Sequence, residues 1–125
     1  MSNDAPMHRV CFQLRVKPER LAEYTQRHAA VWPTFLEEMD AAGWRNYSIF
    51  SRGDGLLIGY FETTDLDAAR DELNASPTNA RWQAEMEEFF DRSSTNPADA
   101  FGDLIEVFNM KDQLAPARAR PELPE

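Results

Sequence analysis

The sequence predicts an α+β domain, because stretches with the two-residue period of β-strands alternate with stretches that have helical spacing. Residues 8–16 alternate regularly, and their apolar face carries Val10, Phe12, Leu14 and Val16. The helical period begins near residue 19, and the two-residue period returns near residue 44. With 125 residues, 42% of them hydrophobic, the chain is long enough for one domain with its own core.

The first helical stretch follows the Lys17-Pro18-Glu19 turn and contains a break. Proline is poorly tolerated in a helix interior, so Pro33 predicts a break near residues 29–32 and a second helix that starts at Pro33. Gly43 is expected to end that helix. The apolar positions of this stretch are Leu21, Tyr24, His28, Val31 or Trp32, Phe35 and Met39.

A β-hairpin is predicted next, with strands at 44–51 and 56–62 joined by the turn Arg52-Gly-Asp-Gly55. The second of these strands is the more continuously apolar, which favours a central position. Thr64 and Asp65 can cap a helix over about 66–75, and Ser76-Pro77-Thr78 breaks it.

The rest of the chain predicts a helix over about 78–91, a loop over 91–99 and a last strand over 102–109. We expect the domain to span 1–112. The Pro-rich segment 113–125 has little to bury and is expected to be mobile or to lie on a partner.

The resulting order, βαββαβ, is typical of the ferredoxin-like arrangement, a four-stranded antiparallel sheet with helices on one face. The other face of such a sheet is open. It can bind a ligand, or it can pack against a second sheet across a dimer.

Charge and composition exclude several classes of function. The chain has 13 basic and 22 acidic residues, a net charge of −9, which disfavours nucleic acids and anionic membranes. No apolar run approaches a membrane span, and the N-terminal residues carry no apolar export signal. The single cysteine, Cys11, fits a reducing cytoplasm.

Tyr24 and His28 are four residues apart, so a helix places them on one face about one turn apart. Histidine can donate and accept a proton near neutral pH, because its ordinary pKa is about 6.5. The pair can therefore form a site. It can equally fill the border of a core with its polar ends in water, and the spacing alone favours that simpler interpretation.

The other candidates have simple structural interpretations as well. Tyr47 lies on a strand, where tyrosine is common, and Trp82 is typical of a helix core. Gln83 is typical of a helix surface, and His8 has no assigned role. The two histidines form no metal-binding pattern, and no phosphate loop or nucleophile motif is present. No metal or cofactor is expected.

Over residues 8–110 the sequence resembles the L-rhamnose mutarotase family. The resemblance rests on five pieces in the same order, which are EYTQRHAAVWP at 23–33, the Asn-Tyr of GWRNYSIF at 43–50, LLIGYFE at 56–62, the Arg-Trp of NARWQAEM at 79–86 and EVF at 106–108.

The resemblance implies an enzyme that interconverts the anomers of a 6-deoxy-sugar without a cofactor, and homodimers whose sheets pack together. It implies that His28 is the proton donor, protonating the ring oxygen or O1 in one direction and retaking the proton in the other. Tyr24 and Tyr47 match the sugar-contacting tyrosines, and Trp82 matches the first residue of a tryptophan pair that holds the sugar ring.

The chain departs from the family at Gln83, where the second tryptophan of that pair is expected, and in DLDAARDEL after the third strand, where an aromatic residue is missing. Gln83 offers one acceptor and two donors in place of an apolar ring. This leads to the hypothesis that the pocket prefers a sugar with a differently directed hydroxyl, for example L-fucose.

Two other functions remain open from the sequence. A cofactorless monooxygenase-like enzyme on the same dimeric fold would bind a flat apolar ligand in a similar pocket. A non-catalytic sugar-binding module would keep Trp82 and Tyr47 without proton transfer.

Overall fold

The computed structural model describes residues 6–92 and 102–119, and it has the predicted α+β architecture. Four strands form one antiparallel sheet in the order β2-β3-β1-β4. The strands are β1 His8–Arg15, β2 Arg45–Ser51, β3 Leu56–Thr63 and β4 Gly102–Leu104. This is the strand order of the ferredoxin-like arrangement, and it confirms the central position predicted for β3.

The first four helices follow the predicted order, and a fifth helix lies where no helix was predicted. They are α1 Leu21–His28, α2 Pro33–Ala41, α3 Leu66–Asn74, α4 Pro77–Met86 and α5 Met110–Arg118. The predicted break is confirmed, because α1 ends at His28 and α2 begins at Pro33. None of the helices in the described ranges is both long and apolar enough to cross a bilayer.

The core lies between the sheet and helices α1 to α4. Alternate residues of β3 are buried, which is the pattern of a strand with one face covered. The core side chains from strand and helices include Val16, Tyr24, Phe35, Leu57, Leu73, Trp82, Met86 and Phe89. Tyr24 and Trp82, both expected at a site, are therefore part of the same packed cluster.

Helices α3 and α4 begin at side-chain caps, of which the one at Asp65 was predicted and the one at Ser76 lies in the predicted helix break. Asp65 accepts a hydrogen bond from the backbone N–H of Ala68 at 3.0 Å. Ser76 Oγ accepts one from the N–H of Asn79 at 3.1 Å. Such caps satisfy donors that a helix start leaves free, and they fix where each helix begins.

The predicted last strand, 102–109, is wrong in length. Pairing with β1 stops at Leu104, and residues 105–109 continue without strand structure. The alternating pattern of those residues reflects apolar side chains, but β1 pairs with β4 only over Cys11–Gln13. The apolar alternation over 102–109 predicted a strand, but it could not show how far β1 would pair with it.

The C-terminal part differs from a simple tail. Helix α5 starts inside the predicted domain and crosses its predicted boundary at residue 112. Asn109 caps it by accepting a hydrogen bond from the N–H of Asp112 at 3.0 Å, and Pro116 lies in its last turns. Residues 93–99 of the predicted loop and 120–125 of the predicted tail lie outside the described residues.

Candidate active site

His28 lies at the C-terminal end of α1, with its ring stacked on that of Tyr24 at a centroid distance of 4.1 Å. Its Nδ1 is 2.9 Å from the backbone carbonyl oxygen of Tyr24. A carbonyl oxygen only accepts, so Nδ1 carries the hydrogen and donates it. In the neutral ring, Nε2 is then the nitrogen with a lone pair available to a ligand.

Burial lowers the pKa of His28 below its ordinary value, and the hydrogen bond to the Tyr24 carbonyl opposes that effect in part. The imidazole is half-buried and therefore prefers the neutral form. This is the state in which Nε2 can accept a proton.

Tyr24 is almost completely buried, with 4% of its surface exposed. Burial raises the pKa of its hydroxyl to about 12, so the phenol keeps its proton near neutral pH. Its ring packs edge-on against Phe89 as well as on His28. Tyr24 therefore holds the imidazole in place and presents a neutral hydroxyl.

Trp82 belongs to the core and to the site at once. Its ring meets that of His28 edge-to-face at 5.3 Å and that of Trp32 at 5.0 Å, and it also packs on Phe35. Only 6% of Trp82 is exposed. The simpler interpretation of Trp82 as core is confirmed, and the same ring forms part of a cavity wall.

Tyr47 reaches the site through an irregularity in β2. Regular alternation would put Trp44 and Tyr47, three residues apart, on opposite faces of the sheet. Asn46 has a φ of 50°, a left-handed conformation that asparagine tolerates, and the pairing of β2 with β3 shifts between Arg45 and Ser48. The rings of Trp44 and Tyr47 consequently lie side by side, 5.2 Å apart.

The Tyr47 and Trp44 side chains are held from below by the sheet. Tyr47 contacts Phe12 and Phe61, and Trp44 stacks on Phe61 at 3.8 Å. The indole N–H of Trp44 donates to the carbonyl of Ala69 at 3.0 Å. The same surroundings raise the pKa of Tyr47, chiefly through burial of its hydroxyl, so this phenol is neutral too.

These side chains surround two adjoining cavities between the helices and the sheet. The smaller cavity, about 190 Å³, is lined by all five predicted residues, which are Tyr24, His28, Tyr47, Trp82 and Gln83. The larger cavity, about 310 Å³, shares four of them but not Tyr24. Its volume is at the lower end of the range of about 300–1,000 Å³ typical of small-molecule sites.

The two cavities differ in chemistry. The polar groups of the larger one are at His28, Tyr47 and Gln83, while its remaining wall is apolar, formed by Val31, Phe35, Leu36, Met39, Trp44, Ile49, Leu73 and Trp82. The smaller one adds Tyr24 on the polar side and Phe12, Leu14, Met86 and Phe90 on the apolar side. A ligand with hydroxyls on one side and hydrocarbon on another matches this lining.

Two ion pairs link α1 and the turn before it to α4 and the turn after it. Arg27 on α1 pairs with Glu85 on α4 at 3.2 Å, and Arg20 pairs with Glu88 at 2.9 Å. Exposed pairs of this kind contribute little to stability. They do link the chain segment that holds His28 to the segment that holds Trp82.

Two further residues of this region, Trp44 and Asn79, were not predicted to belong to it. Trp44 lines both cavities, but strand alternation concealed it because the irregularity at Asn46 is not visible as a pattern. Asn79 is buried and binds Gln83, and the i, i+4 spacing of the two amides on α4 was a readable signal.

No group of three or more His, Cys, Asp or Glu side chains in the described part of the chain is arranged to hold a metal ion. His8 is exposed at the start of β1, well separated in sequence from the site, as expected.

Comparisons with known proteins identify the family of this chain. The family model described as L-rhamnose mutarotase matches residues 9–110, which include every residue that lines the two cavities. The chain belongs to the L-rhamnose mutarotase family. The relatives described as L-rhamnose mutarotase are covered over 81% to 100% of their own length.

An L-rhamnose mutarotase of Jannaschia sp. (strain CCS1) is 32% identical over 105 residues, which is 83% of this chain and 99% of that protein. One of Enterococcus faecalis (strain ATCC 700802 / V583) is 32% identical over 107 residues, with 83% and 100% covered. The crystal structure of L-rhamnose mutarotase FA22100 from Formosa agariphila superposes with a TM-score of 0.65 at 22% identity, over 82% of this chain and 98% of that one. This last likeness shows the shared fold.

Proposed function

We propose that this chain is a mutarotase that interconverts the α and β anomers of a 6-deoxy-hexose, with L-rhamnose or L-fucose as substrate. The observation that carries the proposal is that His28 lines both cavities beside Trp82, while its Nδ1 is bonded to a backbone carbonyl, so that Nε2 is the nitrogen left to act on a ligand. Membership of the L-rhamnose mutarotase family supports the choice of substrate class.

The chemistry needs one proton to move within the sugar. Neutral His28 accepts the proton of the anomeric hydroxyl at Nε2, and the C1–O5 bond breaks as the C1=O1 double bond forms. The imidazolium then gives the same proton to the ring oxygen, O5. Rotation about C1–C2 and the reverse steps close the other anomer, so no proton, electron or cofactor is consumed.

The two phenols assist without changing protonation state. Because both keep their protons near neutral pH, Tyr24 and Tyr47 can donate hydrogen bonds to sugar oxygens but are poor bases. Trp82 and Trp44 offer ring surface to the C–H groups of the sugar. General acid–base help of this kind is worth about 10²- to 10⁴-fold in rate.

Gln83 is the basis for including L-fucose. It lines both cavities where the family resemblance leads us to expect a tryptophan, and its amide can bond a hydroxyl that an indole ring would exclude.

Exchange NMR tests the proposed function. L-Rhamnose and L-fucose are mixed with the protein, and transfer of magnetisation between the α and β anomeric signals is compared with a protein-free sample. We expect faster exchange with protein for at least one sugar, and faster exchange of L-fucose if Gln83 sets the preference. Exchange at the protein-free rate for a panel of deoxy-hexoses contradicts the function, and faster exchange of L-rhamnose contradicts the fucose preference.

Two other functions predict different results in the same experiment. A non-catalytic sugar-binding module binds the sugar without accelerating exchange. A cofactorless monooxygenase-like enzyme prefers a flat apolar ligand, whereas the histidine, two tyrosines and glutamine of this lining favour a hydroxylated one.

We propose that the active form is a homodimer. From the last residue of β4 onward the chain exposes large apolar side chains, namely Leu104, Ile105, Val107, Phe108 and Met110, with Val107 91% exposed. This segment is held against the sheet, because Arg9 on β1 binds Glu106 at 2.7 Å and also pairs with Asp112. Only Glu106 and Asn109 interrupt these apolar residues, and monomeric proteins rarely expose large apolar patches.

Light scattering tests the dimer. We expect a particle of twice the 14.3 kDa of one chain, and a shift toward one chain for a Val107→Ser/Phe108→Ser variant. A wild-type protein that stays at the mass of one chain at micromolar concentration contradicts the proposal.

A cytoplasmic location belongs to the same proposal and rests on the single cysteine, Cys11, since one thiol cannot form an intrachain disulfide. Recovery with cytosolic marker proteins on cell fractionation is the expected result, and recovery in another fraction contradicts it.

A further inference from the structure

Asn79 is a buried polar residue that the proposed chemistry leaves unused. It lies in the first turn of α4 with 9% of its surface exposed. A buried side-chain amide is unfavourable unless it is hydrogen-bonded. Asn79 meets this requirement through Gln83, whose Nε2 donates to Asn79 Oδ1 at 3.2 Å.

A series of hydrogen bonds fixes the backbone of Asn79 relative to α2. Its backbone N–H donates to Ser76 Oγ, which caps α4, and Ser76 Oγ donates in turn to Glu38 Oε1 at 3.0 Å. Glu38 is on α2, the helix that supplies Phe35 and Met39 to the wall of the larger cavity. The backbone of Asn79 is thereby tied through Ser76 to α2, a helix that encloses the larger cavity.

The bond to Asn79 limits what Gln83 can present to a ligand. It occupies one of the two Nε2 hydrogens, and it leaves the carbonyl oxygen, Oε1, as the end that no hydrogen bond engages among the described residues. Gln83 is exposed, and it also lines both cavities.

We infer that Asn79 is a positioning residue, which holds the Gln83 amide so that Oε1 accepts a hydrogen bond from a hydroxyl of the bound sugar. This rests on the proposed function only in taking the ligand to be a sugar. Where a tryptophan ring would contact the sugar's hydrocarbon, Gln83 held by Asn79 would instead accept a hydrogen bond. This part of the cavity wall would therefore favour a sugar that has a hydroxyl group there.

Paired variants test the inference, with sugar affinity and exchange rate measured separately. Asn79→Asp keeps an acceptor opposite Gln83 Nε2, whereas Asn79→Leu has similar size and no acceptor. We expect Asn79→Leu to weaken binding of the preferred sugar by about 2- to 10-fold, the range of one net hydrogen bond, with the exchange rate at saturating sugar unchanged. Asn79→Asp should bind within about 2-fold of the wild type.

A Gln83→Ala background separates positioning from a purely structural role. There Asn79→Leu should cost no further affinity, because the group that Asn79 holds is absent. The inference is overturned if the Asp and Leu variants weaken binding equally, if only Asp weakens it, or if the Leu effect persists beside Gln83→Ala. Because affinity is measured by itself, these results remain readable if the wild type binds sugar without exchanging it, the outcome that would refute the proposed function.

Discussion

Replacement of His28 by glutamine is expected to abolish catalysed anomer exchange while sugar binding is retained. Glutamine keeps a donor near the Tyr24 carbonyl but has no group that accepts a proton near neutral pH. General acid–base catalysis supplies about 10²- to 10⁴-fold, so the residual rate should approach that of the protein-free sample. Exchange NMR gives the rate, and titration of the sugar gives the affinity.

The second histidine provides the control for that variant. His8 is exposed at the start of β1, so His8→Gln should exchange sugar at the wild-type rate. If His28→Gln exchanges as fast as the wild type, the proton is moved by another group and the role assigned to Nε2 is wrong.

Truncation of Trp82 is expected to have the largest effect on stability, because the same ring supports the core and the cavity. Trp82→Ala removes a side chain that is 6% exposed and that contacts His28, Trp32 and Phe35. Loss of a buried tryptophan costs about 3–5 kcal/mol, a large share of the roughly 5–15 kcal/mol that stabilises a domain. Urea unfolding followed by circular dichroism measures the difference.

Leu36→Ala is the matched control, since Leu36 also lines the larger cavity but is 49% exposed. Its cost should be about 1 kcal/mol or less. The milder Trp82→Phe should remain folded and bind sugar more weakly than the wild type, because less ring surface faces the ligand. Equal destabilisation by Trp82→Ala and Leu36→Ala would show that Trp82 is not the support that its contacts indicate.

Local chemistry made most of the fold predictable. The helix break at Pro33, the turn at Arg52–Gly55, the cap at Asp65 and the break at residues 76–78 each follow from what one residue type does to its own backbone. The end of β4 at Leu104 did not follow, because strand length depends on how far a neighbouring strand accompanies it. The Asn109 cap could have predicted helix α5, but the prolines that follow it favoured the prediction of a tail.

The site was predictable where residues share one helix. His28 and Tyr24 meet because four residues make about one turn, and the same rule would have joined Asn79 to Gln83. Trp44 was not predictable, since its place beside Tyr47 depends on a left-handed residue at Asn46. The proximity of α1, α4 and β2 around one cavity is a property of the whole fold, and only the family resemblance indicated it beforehand.

The pH dependence of catalysed exchange, compared with the titration of the His28 imidazole by NMR in the same buffers, tests the central claim most directly. Burial lowers the pKa of His28 below its ordinary value of about 6.5, and in the proposed mechanism the neutral ring is the active form. After subtraction of the protein-free rate, we predict a plateau at neutral pH and a fall as the pH drops through the measured pKa of His28. A catalysed rate that stays constant, or rises, while the His28 ring becomes protonated would contradict the account.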